Sequence, residues 1–178
     1  MTTAYTDEII RTLNTELGRI LTCLDMLSDD QIWRRLKPNM NSVGHLCVHL
    51  AGNERQHFIS GIGQEPNIRE RTLEFTVEHT YTREQLKQLL SLTREQSLSV
   101  LSGLSEKDGD RPVFVPYSEE DWHAMKDRSQ EEAEPGYTRP LQIILMQVCE
   151  HYGYHTGQIV LLTKLLQDED RSISGYKH

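Results

Sequence analysis

Two histidines, His151 and His155, stand four residues apart in the run Cys149-Glu-His-Tyr-Gly-Tyr-His-Thr-Gly-Gln-Ile159. They interrupt an apolar stripe of Leu141, Ile144 or Leu145, Val148, Ile159, Leu162 and Leu166, whose three- and four-residue spacing marks one buried helical face. Imidazoles placed there need partners, because an unsatisfied buried polar group costs roughly 1–3 kcal/mol. A metal ion supplies such a partner. At i and i+4 both side chains leave the same side of a helix and reach one ion.

Two ligands do not complete a site. The reading from the residues takes the third from another helix: His49 is in register with Leu46 and Asn53 on an apolar helical face. Three neutral imidazoles on a divalent ion leave coordination positions open, as catalytic sites do, whereas a structural zinc site is closed by four protein ligands. Neutral imidazoles favour Zn, Ni, Cu or Fe over Mg²⁺ or Ca²⁺, and affinity order alone does not choose among the four; Zn²⁺ is the expected ion, with Ni²⁺ next. His45 pairs with His49 at i,i+4, so a two-plus-two site is the alternative, with His45 toward the helix boundary. Asn53 and Gln158 are candidates to orient a ligand or substrate from behind. Glu54 and Glu150 could accept hydrogen bonds from behind the ligands, but, next in sequence to Asn53 and His151, they are turned about 100° from those positions and read as solvated carboxylates. His57, His79, His123 and His178 read as exposed, and Tyr152 and Tyr154 as core aromatics, with pocket lining the alternative. Cys23, Cys47 and Cys149 read as free thiols in a reducing compartment; Cys47 and Cys149, two residues before a histidine, face away from the site.

The elements that must carry these residues are helices. The first spans about Thr6 to Leu27, and Ser28 with Gln31 opens a short one through a capping box. A helix from Asn41 or Ser42 to about Gly61 carries His49. Residues 67–81 read as loop, and Thr82 starts a long helix ending near Leu104. Val113–Tyr117 reads as a short extended segment that Pro116 keeps out of a sheet centre. The acidic stretch Ser118–Thr138 reads as a surface loop or lid, with a helical turn around Trp122. Pro140 then begins a last helix ending near Gln167. The expected fold is an all-α four-helix bundle with a long loop before the last helix, in one domain over residues 1–178.

The net charge of -8, from 27 acidic and 19 basic side chains, opposes binding to a nucleic-acid backbone. No apolar run is long enough to cross a membrane, and the N-terminus lacks the pattern of a signal peptide. A cytoplasmic protein with a small-molecule substrate is expected.

The segment Asn41-Ser-Val-Gly-His-Leu-Cys-Val-His-Leu-Ala-Gly-Asn-Glu54 resembles the second helix of DinB-like proteins, and His151-Tyr-Gly-Tyr-His-Thr-Gly-Gln-Ile159 resembles their closing His-x-x-x-His-x-Gly-Gln motif. The likeness follows helix order over most of the chain. It implies a four-helix bundle with His49, His151 and His155 as ligands of a divalent metal. It also implies a homodimer and, for some members, transfer or isomerisation chemistry using bacillithiol, mycothiol or glutathione. The acidic Ser118–Thr138 segment departs from the family by its length and bears on the substrate. Two functional readings follow: a metal-dependent, thiol-using S-transferase or related hydrolase or isomerase, and a non-enzymatic, stress-related dimeric bundle whose metal is structural or adventitious. An open position on the metal separates them.

Overall fold

A computed structural model describes residues 4–77, 79–125, 134–169 and 171–173. Four long helices form the bundle: α1 (Ala4–Asp25), α3 (Val43–Glu54), α4 (Arg83–Leu101) and α6 (Leu141–Leu166). The short α2 (Asp29–Trp33) precedes α3, and α5 (Glu119–Met125) lies in the acidic segment. Helix α6 packs against α1 and α3, and α4 against the opposite flanks of α1 and α3.

Local chemistry starts these helices. Ser28, Ser42 and Thr82 each accept a hydrogen bond from the backbone three residues on, and the side chain at that third position returns to the cap backbone. Each reciprocal pair satisfies two of the donors a helix start leaves open. At Ser42 the returning side chain is His45, whose Nδ1 accepts from the Ser42 N–H at 3.1 Å. Helix α3 runs without a break into a π-helix, Arg55–Ile62, so the continuous helix expected to Gly61 is present but changes its winding after Glu54.

Ile20, Leu24, Leu50, Phe58, Leu86, Leu90, Ile144, Leu145 and Ile159 fill the core. In α6 the most deeply buried line passes through Val148, Tyr152, Thr156 and Ile159. His151 and His155 therefore sit half-buried on the flank that turns toward α3, and not in the centre of the stripe as the spacing suggested.

The acidic segment is more structured than a loop. Strands β1 (Pro112–Pro116) and β2 (Gly136–Pro140) pair antiparallel, with Val113 opposite Arg139 and Val115 opposite Tyr137. A two-stranded ribbon leaves each strand an open edge, which is how it accommodates proline at three of its four ends. Trp122 of α5 is buried as well. Of the expected lid, residues 126–133 lie outside the described residues.

Candidate metal centre

The bundle brings His49, His151 and His155 together, their ligand nitrogens all within 4.8 Å of one another. His49 Nε2 and His151 Nε2 are 2.9 Å apart. The three rings meet edge to face, with centroids 4.5–5.0 Å apart. Around a tetrahedral zinc ion with ~2.0–2.1 Å bonds, neighbouring nitrogens stand about 3.4 Å apart. The observed spacings bracket that separation, so the ligand set fits a single ion.

Hydrogen bonds on the outer sides of the rings fix which nitrogen is free. His49 Nδ1 is 2.8 Å from Glu74 Oε2, and a carboxylate there requires the proton on Nδ1, which leaves a lone pair on Nε2. Glu74 is held by a two-pronged bond from Arg69, Nε to Oε1 at 2.6 Å and Nη2 to Oε2 at 2.8 Å. Arg69 Nη1 also donates to Gln56 Oε1 at 2.6 Å. His155 Nδ1 lies 2.7 Å from Gln158 Oε1, so that ring too keeps its Nε2 lone pair. These carboxylate–imidazole and amide–imidazole contacts set the tautomer and orientation of metal-ligating histidines. Gly52 allows the approach of Glu74: a Cβ at position 52 would stand 2.1 Å from Glu74 Oε1.

Burial, then the neighbouring His49 and His155, push the His151 imidazole down to about 3. Burial lowers His155 as well, against the hydrogen bond that its Nδ1 donates to Gln158. Both rings are thus neutral at physiological pH, the form that ligates.

Gln158 stands against His155 through that contact. Asn53 does not touch the imidazoles through its amide; it lines an adjoining cleft of about 340 Å³ with Gln147, Glu150, His151 and Tyr154. His45 stays apart from the triad, fully buried, with Nδ1 on the Ser42 cap and Nε2 3.0 Å from Arg35, which removes it from a two-plus-two site.

Three exposure readings are corrected. Tyr154 is no core aromatic: it is 64% exposed and lines the cleft, the alternative open to it. Glu54 is fully buried, bonded by Arg94 from Nε at 2.7 Å and Nη2 at 3.0 Å and by the Tyr152 hydroxyl. The angle between neighbouring residues had turned it toward solvent, but helices α4 and α6 cover that side. His57 is 2% exposed, with Nδ1 on the Asn53 carbonyl at 2.8 Å and Nε2 on the Tyr137 hydroxyl at 2.9 Å. Strand β2 covers what sequence reads as a helix end. Arg69 and Glu74 went unrecognised because alternating charges in residues 67–81 look like a solvated loop.

A mycothiol-S-transferase family model matches residues 8–167. The chain belongs to that family. Its fold is shared with a DinB-like protein from Bacillus cereus ATCC 10987, at TM-score 0.63 and 17% identity over 89% of this chain and 91% of that one. A conserved protein from Enterococcus faecalis superposes at TM-score 0.62 and 16% identity, covering 93% of this chain and 98% of its own. A mycothiol-dependent maleylpyruvate isomerase matches at TM-score 0.59 and 14% identity, covering 88% of this chain and 63% of the isomerase. No protein of curated function matches the chain in sequence. Both the DinB-like resemblance and the helical-bundle fold expected from the sequence are thereby established.

Proposed function

We propose that this family member is a metal-dependent S-transferase that uses a low-molecular-weight thiol, mycothiol first, with His49, His151 and His155 holding Zn²⁺ or, next in preference, Ni²⁺. The observation that carries this reading is the convergence of three imidazoles, of which His49 and His155 already have their outer nitrogens bonded. Among the described residues no fourth His, Cys, Asp or Glu joins that group. When bound, a divalent ion supplies Lewis acidity that brings the pKa of a coordinated thiol toward neutrality. The chain's own part is orientation. Glu74 and Arg69 hold His49, Gln158 holds His155, and the half-buried flank of α6 leaves a way in from solvent. The family match and the fold shared with a mycothiol-dependent isomerase support thiol use.

The same reading takes the protein as a cytoplasmic homodimer. Tyr154, Leu161 and Leu165 expose about three-fifths of their surface along α6, which offers a second copy an apolar face. No described helix is long and apolar enough to cross a membrane.

Cobalt substitution tests the function. In the Co²⁺ form, dithiothreitol at neutral pH is expected to produce a sulfur-to-metal charge-transfer band, absent from the His49→Ala control. An unchanged spectrum in fully loaded protein overturns the enzyme reading and favours a structural or adventitious metal in a non-enzymatic bundle.

A further inference from the structure

The cleft beside the histidine triad has polarity of its own. One wall is a chain of hydrogen bonds whose direction the tautomers fix. The Asn53 carbonyl accepts from His57 Nδ1 at 2.8 Å, which leaves His57 Nε2 to accept from the Tyr137 hydroxyl at 2.9 Å. Beside it, Gln147 Oε1 accepts from Arg139 Nη1 at 3.2 Å. The oxygen of the Gln147 amide is thus engaged, and what it offers the cleft is its N–H donors. On the same helix and against the same cleft stands Glu150, an exposed carboxylate that only accepts. Arg139, beside this wall, is engaged by Gln147 and lies over the Tyr137 ring at 5.2 Å. Arg69 is buried against Glu74.

We infer that this cleft is a specificity subsite for the thiol's non-reacting end, built to take an uncharged amide or hydroxyl and to reject a carboxylate. An amide or hydroxyl both donates and accepts, so it satisfies the Gln147 N–H and Glu150 together. A carboxylate satisfies only the first and meets Glu150 as a like charge. Gln147 and Glu150 would touch the ligand. The inference rests on the thiol-transferase reading and narrows it to thiols with a neutral tail.

The matched probes are 3-mercaptopropionamide and 3-mercaptopropionate, which differ in the terminal group. Binding is read from the side-chain amide resonances of Asn53 and Gln147, with metal-loaded and metal-free protein. The amide is expected to bind roughly fivefold or more tightly than the carboxylate, the size of a solvent-screened like-charge contact. Glu150→Gln, a surface change, is expected to bring the ratio to about one by strengthening carboxylate binding. Equal affinities in the wild type, a ratio that Glu150→Gln does not move, or no perturbation of either resonance overturns the inference. Failure of the thiol-transferase reading is separate: it appears as a silent cobalt spectrum, whatever these resonances do.

Discussion

At the scale of single residues, the proposed metal centre depends on groups that would not touch the ion. Glu74 fixes the His49 tautomer, so Glu74→Gln is expected to weaken metal binding by about 10–100-fold, measured by competition with a chromophoric chelator. His151→Ala should abolish stoichiometric binding while helical content is kept. Gly52→Ala should act in the same direction as Glu74→Gln, since its methyl would occupy the space of Glu74 Oε1. His57 makes stability depend on pH. Burial holds its imidazole down to about 4, against an ordinary 6.5, so above pH 6.5 the folded and unfolded rings are both neutral and its contribution is complete. As pH falls, the unfolded ring takes a proton that the folded ring refuses, and stability declines until pH is near 4. The loss is about 3 kcal/mol over that window. Denaturant titrations at pH 7 and pH 4.5 should show a smaller drop in His57→Gln than in the wild type. The three proposed ligands were legible because imidazoles in apolar helical faces are conspicuous and match a known motif. Glu74 was not, since a carboxylate 25 positions from its histidine carries no periodic signal.

Helices were readable for a different reason: apolar spacing and serine or threonine caps are local, and α1, α4 and α6 end within a few residues of where the sequence places them. What escaped was pairing between distant segments. β1 and β2 are short, proline-bounded and separated by the acidic stretch, so neither announces its partner. The polar network inside the bundle escaped too. Arg94 on α4 bonds Glu54 on α3 and reaches Asn14 on α1 at 3.1 Å, while Tyr152 on α6 bonds the same carboxylate. All four long helices therefore meet at one buried ion pair. Removing one partner strands the other charge, and Arg94→Met is expected to cost about 3–5 kcal/mol in urea denaturation. Adding Glu54→Gln to that variant should recover part of the loss, because a neutral amide replaces the stranded carboxylate.

For the molecule as a whole, assembly is the open property. If α6 carries the dimer interface, light scattering at micromolar concentration should report about twice 20.6 kDa, and Leu161→Glu with Leu165→Glu should halve it. A wild-type monomer would remove the homodimer from the proposed function. The acidic segment reaches the metal centre by another route. Asp121 of α5 accepts hydrogen bonds from the Arg71 N–H at 3.0 Å and from the Thr72 N–H at 3.2 Å and hydroxyl at 3.0 Å. Glu74 follows two residues later in the same stretch of chain. That anchorage sets the effective concentration of the Glu74 carboxylate at His49: a loop fixed near its acid presents it nearly all the time, and a loop free to sample other shapes dilutes it and restores lost chain entropy. Asp121→Ala should then lower metal affinity in the same chelator competition, although Asp121 bonds backbone and hydroxyl groups and no imidazole.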